Sequence, residues 1–193
     1  MDGQSLARHY LEDVLLNLKK SKRLADGALA QVDDSQFFAL PDPGSNSLAL
    51  IVKHVAGNQR SRWTDFLTAD GEKPDRNRDH EFELGPDDTR QELMAQWEAG
   101  WTLVLGTIGA LRPEELLHVV TVRGEEHTAL QAIDRQLVHY SHHVGQIVFL
   151  AKLLKGASWR TLSIPKGRSK EFDVAKDGSR YRTEAPFDNA SPH

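Results

Sequence analysis

The chain has 193 residues, a length that suits one domain with room for an appendage. Its net charge is −4, and its lysine and arginine residues are scattered, which argues against a nucleic-acid-binding surface. The absence of cysteine excludes disulfide bonds, thiolate zinc ligands and a cysteine nucleophile. A metal site in this chain would therefore have to use histidine, carboxylate or water.

The sequence has no run of eighteen apolar residues, so we expect no membrane-spanning helix. Residues 1–5 lack the basic and apolar regions of a signal peptide. We therefore expect a cytoplasmic protein.

Apolar residues at helical spacing predict a first long helix over residues 4–32. Residues 33–45 contain several turn-forming residues and are predicted to be a linker. A second helix, capped by one of the polar residues 45–47, is then expected to run to about residue 68.

One histidine of this second helix, His54, lies beside the predicted apolar stripe, and Asn58 follows it by one helical turn. A lone histidine beside an apolar face is more often a hydrogen-bonded core residue than a metal ligand. Arg60 and Arg62, on the same helix, could bind an anionic group of a cofactor. Surface ion pairs with Asp65 or Glu83 are the simpler expectation.

Residues 69–86 form a polar segment with six acidic and three basic residues and no helical or strand periodicity. Loops of this length in compact domains tend to be either functional or disordered. The simplest expectation is a solvated connection between two helices.

A third helix is predicted over residues 87–111, with Trp97 and Trp101 as core or dimer-interface residues. Residues 119–126 then predict a short extended excursion that turns at Gly124.

Thr128 and Gln131 fit a capping box that opens the last long helix, which is predicted to end near Gly156.

The stretch 139–146 of the last helix places His139 and His143 one turn apart on one face, with Gln146 close to that face. Two imidazoles at this spacing can bind one metal ion. They can equally be two polar residues on an ordinary helix, and a third ligand is needed to favour the metal.

Four long amphipathic helices predict an all-α fold, a four-helix bundle over residues 1–156. Residues 157–193 predict an irregular C-terminal tail that packs on the bundle or on a partner subunit. Because bundles often build metal sites from side chains on facing helices, His54 could meet the pair His139 and His143.

The stretches 51–58 and 139–146 together resemble the DinB-like (DinB/YfiT) superfamily of metalloenzymes. These stretches contain one histidine on the second helix and the pattern His-x-x-x-His-x-Gly-Gln on the fourth. The segment 57–83 is similar to an uncharacterised branch of that superfamily, and the resemblance spans roughly residues 5–173.

This resemblance implies an up-down-down-up four-helix bundle, usually a homodimer, with a divalent metal held by three histidines. The ligands that it implies are His54, His139 and His143, whereas His142 is not used. Characterised members of the superfamily include S-transferases that depend on bacillithiol or mycothiol and a mycothiol-dependent maleylpyruvate isomerase.

Three neutral imidazoles with an open coordination position are typical of catalytic metal sites. Such a site can activate water or a thiol, so we expect S-transferase-like or hydrolase chemistry on a small-molecule substrate. A low-molecular-weight thiol is the expected cosubstrate. The donor set suits zinc or nickel first, and iron or copper as well.

Tyr140 stands where metalloproteases of the His-Glu-x-x-His type have their glutamate base, which argues against peptidase chemistry. Asn58, Gln146 and Tyr140 are candidate residues for orienting the ligands or a substrate. For Asn58 and Gln146, hydrogen bonds between helices are an equally good interpretation. The alternative function is a non-catalytic dimeric bundle that binds a metal or another ligand.

Overall fold

The computed structural model describes residues 2–171, which are mostly helical. Within this range there are five α-helices, four short 3-10 helices and one pair of antiparallel strands. The α-helices are α1 (Gly3–Leu29), α2 (Asp34–Phe38), α3 (Leu48–Trp63), α4 (Arg90–Ala110) and α5 (Ala129–Lys155). The strands are β1 (Val119–Val122) and β2 (Glu125–Thr128). The 3-10 helices span Asp79–Phe82, Pro113–Leu117, Gly156–Ser158 and Ser169–Glu171.

The four long helices enclose one hydrophobic core. Helix α3 packs against α4 and α5, and α1 packs against α5 and α4. Trp97 and Trp101 are fully buried in this core, and the ring of Trp101 lies 5.5 Å from that of Tyr140 on α5. The two tryptophans were expected either in the core or at a dimer interface, and the structure places them in the core. The expected all-α class is confirmed, with the addition of a small sheet.

Local capping explains where the long helices begin. The side chain of Ser47 accepts a hydrogen bond from the backbone N–H of Leu50 and opens α3. The predicted capping box of Thr128 and Gln131 opens α5 and is confirmed.

The predicted second helix is α3 in the structure. It ends at Trp63, five residues before its predicted end. Asp65 adopts a positive φ of 50°, which is not helical and is uncommon for a non-glycine residue. The helix does not continue beyond this point, and the connection between α3 and α4 covers residues 64–89.

The predicted linker at residues 33–45 contains the short helix α2. Asp33 and Gln36 form a capping box around its first turn. Gln36 also donates to the carbonyl oxygen of Leu154 at the end of α5, and Phe37 is fully buried. These contacts attach the segment to the core.

The predicted extended excursion before α5 is confirmed as a hairpin of β1 and β2. Its two turn residues, Arg123 and Gly124, have φ values of 58° and 76°, as the tight turns of hairpins require. The carboxylate of Asp70 accepts hydrogen bonds from both backbone N–H groups, at 2.9 and 2.8 Å. Asp70 thereby ties the α3–α4 connection to the hairpin.

Between residues 2 and 171 no helix is both long enough and apolar enough to cross a bilayer. After α5 the chain turns at Gly156, and Trp159 and Leu162 pack, partly buried, against the core. The predicted tail extends to residue 193, and its part from residue 172 onward lies outside the described residues.

Candidate metal centre

Three histidines from two helices converge where α3 and α5 meet. His54 comes from α3, and His139 and His143 come from successive turns of α5. The Nε2 atom of His139 lies 3.4 Å from Nε2 of His54 and 3.2 Å from Nε2 of His143. One nitrogen from each ring lies within 4.8 Å of the other two. The structure thus brings the predicted third histidine to the predicted pair.

These separations fit a shared metal ion. Two imidazole nitrogens bound to one tetrahedral zinc ion at about 2.0–2.1 Å would lie about 3.3 Å apart. The two separations from His139 agree with that value. The donor set, three imidazole nitrogens, suits zinc, nickel, copper or ferrous iron.

Hydrogen bonds to the outer ring nitrogens set which tautomer two of the histidines adopt. His54 Nδ1 lies 2.8 Å from a carboxylate oxygen of Glu81, and His143 Nδ1 lies 2.8 Å from the amide oxygen of Gln146. Since both oxygen atoms accept, each Nδ1 carries the proton and donates it. The Nε2 lone pairs of both rings are therefore free and point into the cluster.

Burial keeps the two imidazoles of α5 neutral. It lowers the pKa of His139 to about 3, and the neighbouring His143 and His54 act in the same direction. Burial also lowers the pKa of His143 to about 4, although its hydrogen bond with Gln146 opposes the shift. Neutral imidazole is the form that binds metals, so no proton has to leave these two rings at neutral pH.

Glu81 is the functional candidate that the sequence did not single out. Arg76 donates to both of its carboxylate oxygens, at 2.8 and 3.0 Å, so the carboxylate lies between Arg76 and His54. Burial alone would raise the pKa of Glu81, but the hydrogen bonds from His54 and Arg76 hold it below its ordinary value. Glu81 is therefore a charged acceptor that fixes the ring of His54.

The backbone of α3 leaves room for this carboxylate at Gly57. A Cβ atom at this position would lie only 2.5 Å from an oxygen of Glu81. Phe82 then stacks on the ring of His54, with 4.6 Å between ring centroids. The expectation of a solvated connection was wrong for this part of the chain, because residues 81 and 82 cover one ligand.

The three residues expected to orient ligands divide into two groups. Gln146 contacts His143 directly, as described above. Tyr140 accepts a hydrogen bond from Trp63 Nε1 at 2.8 Å and donates one to Asn58 at 3.2 Å. Asn58 and Tyr140 therefore form a buried hydrogen bond between α3 and α5, and their polar atoms do not bond to the histidine rings within the described residues.

The ion-pair partners expected for the two arginines of α3 were wrong. Arg60 pairs with Asp75 at 2.8 Å. Arg62 pairs with Glu72 at 2.9 Å and also donates to the carbonyl oxygen of Gly71. Both partners lie within the polar segment because it folds back along α3, a path that the sequence pattern does not specify.

His142 lies outside the cluster, as expected. Its ring is exposed, and its Nε2 atom is 3.3 Å from the amide nitrogen of Gln146. His54 and His139 also line one wall of a cavity of about 390 Å³, so the cluster is accessible to a small molecule.

Comparison with known proteins places the chain in one family. The family model described as "Protein of unknown function (DUF1572)" matches residues 5–168. Neither the curated proteins nor the solved structures in the comparison include a match. Since the family model covers most of the sequence, this chain belongs to the DUF1572 family.

Proposed function

We propose that this protein is a divalent-metal-dependent enzyme whose metal ligands are His54, His139 and His143. The observation that carries the proposal is the convergence of three imidazole nitrogens, two of which have their lone pairs directed inward by hydrogen bonds at Nδ1. Three protein ligands leave coordination positions for a reactant, as in catalytic sites.

We also propose a superfamily and a bundle topology for this chain. Membership of DUF1572 and the histidine pattern support a place in the DinB-like superfamily, with an up-down-down-up four-helix bundle. The packing of the four long helices around one core is consistent with that topology. We further propose a homodimer in the cytoplasm, and zinc or nickel as the bound ion, with iron or copper as the other candidates.

The residues around the site favour thiol S-transfer over hydrolysis. When bound, a divalent metal supplies Lewis acidity that makes water or a thiol more acidic. Hydrolysis also benefits from a general base, but the oxygens of Glu81 are occupied by His54 and Arg76. Burial raises the pKa of Tyr140, so its hydroxyl stays protonated. In S-transfer, the low-molecular-weight thiol would itself be the nucleophile.

Metal analysis of the purified protein tests the shared premise. We expect about one divalent ion per chain in the wild type and a strong loss of bound metal in His143→Ala. His142→Ala is the matched control, because that neighbouring histidine lies outside the cluster, and it should retain the metal. Equal metal content in all three proteins would refute the ligand assignment.

The second candidate function is a non-catalytic dimer that binds a metal or another ligand at the same site. The lack of a free carboxylate among the cavity-lining residues between 2 and 171 favours it. A screen of thiols with electrophilic substrates separates the two functions. An enzyme should show thiol-dependent turnover that His139→Ala abolishes. Absence of turnover with every metal, in a protein that retains its ion, would favour the binding protein.

A further inference from the structure

We infer that the cavity beside His54 and His139 binds the carboxylate or phosphate group of a small-molecule substrate. This inference rests on the proposed function and deepens it by assigning a substrate class. The observation that carries it is that the cavity is lined by three histidines, His54, His139 and His142, and by five arginines. The arginines are Arg62, Arg76, Arg78, Arg123 and Arg135.

The five arginines reach the cavity from four separate parts of the chain. Arg62 lies on α3, Arg135 lies on α5 and Arg123 occupies the hairpin turn, while the other two belong to the α3–α4 connection. No run of basic residues in the sequence predicts this concentration of charge. The fold creates it by bringing distant segments to one opening beside the metal ligands.

Positive charge exceeds negative charge at this opening. One carboxylate, that of Glu72, accepts from Arg62, Arg76 and Arg123, at 2.9, 3.3 and 3.1 Å. Glu81 adds a second carboxylate, so five guanidinium groups face two carboxylates and three positive charges remain.

The carboxylate of Asp70 is a third negative group close to these arginines. It lies at the hairpin turn beside Arg123, where it accepts from backbone N–H groups. Even if Asp70 is counted, two positive charges remain without a carboxylate. An anionic ligand would neutralise them.

Several hydrogen-bonding groups at the cavity are free to contact a ligand. Arg78 and Arg135 are exposed and have no carboxylate partner within residues 2–171; the guanidinium of Arg78 lies over the ring of Phe82. Gln136, also in the cavity wall, is 6% exposed, and its side-chain oxygen has no hydrogen-bond partner in the described chain. A buried amide oxygen without a partner is costly, and a ligand hydroxyl or N–H group would satisfy it.

The size and the donors of the cavity fit a small anion. A volume of about 390 Å³ falls within the range of small-molecule sites. The planar guanidinium group offers paired N–H donors that match a carboxylate or phosphate group. Bound there, the ligand would have the rest of its structure beside His54 and His139, where the reaction would occur.

Isothermal titration calorimetry on the metal-loaded full-length protein tests this inference. The probes are succinate, inorganic phosphate and the neutral analogue succinamide. We expect one or both anions to bind and succinamide not to bind; the two anions separate a carboxylate site from a phosphate site. Arg78→Gln and Arg135→Gln should each weaken anion binding by about tenfold, because each removes a charge-assisted hydrogen bond. Arg8→Gln, an exposed arginine on α1, is the matched control and should bind as the wild type does.

Three other outcomes would overturn either this inference or the proposed function. No binding of either anion to a protein with its full metal content would overturn the inference and leave the proposed metal site intact. Anion binding that is insensitive to both arginine variants, but is lost on metal removal, would also overturn it. If the purified protein binds no metal, the proposed function fails, and the same titration of the metal-free protein still tests the arginine cavity.

Discussion

His54 depends on a residue 27 positions later in the chain for the orientation of its ring. Glu81 accepts from His54 Nδ1, and Arg76 holds Glu81 with two further hydrogen bonds. In metal sites, partners of this kind fix the tautomer and the direction of the ligand ring. The position of His54 therefore follows from its place on α3, whereas the orientation of its ring depends on Glu81.

Replacement of Glu81 should weaken metal binding without unfolding the chain. We expect Glu81→Ala to reduce metal affinity by about 10–100-fold, the usual effect of losing a residue that orients a ligand. Glu81→Gln should have a smaller effect, because an amide oxygen still accepts from His54 Nδ1. Competition with a chromophoric chelator measures the affinities.

Glu83→Ala is the matched control, since this exposed glutamate lies in the same segment and its ion-pair partner is His80, which is not one of the three clustered histidines. Gly57→Ala provides an independent check, because its methyl group would displace the Glu81 carboxylate from α3. Wild-type affinity in Glu81→Ala would show that the carboxylate has no part in positioning His54.

At the same scale, helix geometry explains which site residues the sequence could predict. His139, His143 and Gln146 share a face of α5 because of the 100° rotation per residue, and the structure keeps them together. Glu81 was one of six acidic residues in a segment without periodicity, so no local pattern distinguished it. Its role arises from a contact between two elements.

At the scale of elements, local chemistry predicted helix starts better than it predicted helix ends and connections. The capping box at Thr128 and the turn at Gly124 depend on neighbours within a few residues, and both were predicted. The end of α3 at Trp63 depends on the unusual backbone conformation of Asp65, which an apolar spacing pattern does not reveal.

The α3–α4 connection is held by contacts to distant residues. Asp70 accepts from the backbone of the hairpin turn, and Ser61 and Arg62 donate to the carbonyl oxygen of Gly71. Its many charged residues predicted a solvated loop, because a sequence shows the charges but not which of them pair in the fold. In the folded chain, Glu72 and Arg76 pair with each other.

At the scale of the whole molecule, the candidate metal centre joins two helices that lie far apart in sequence. His54 and His139 are separated by 85 residues in the sequence. The two helices that carry them pack around the core in which Trp97 and Trp101 are buried. A metal ion bound to both helices would stabilise only the folded chain, because the three nitrogens converge only after folding. The metal should therefore act on the stability of the whole domain.

Thermal unfolding in the presence and absence of metal measures that stabilisation. At a free metal concentration about 100 times the dissociation constant, we expect a stabilisation of about 2.7 kcal/mol, which corresponds to a Tm increase of ~5–10 °C for a chain of this length. The increase should disappear in His143→Ala, which removes one ligand, and should persist in His142→Ala. Differential scanning calorimetry of the three proteins, with and without a chelator, gives the comparison. An equal Tm increase in His143→Ala would mean that the ion binds elsewhere, and the three-histidine centre would then have no role in holding α3 to α5.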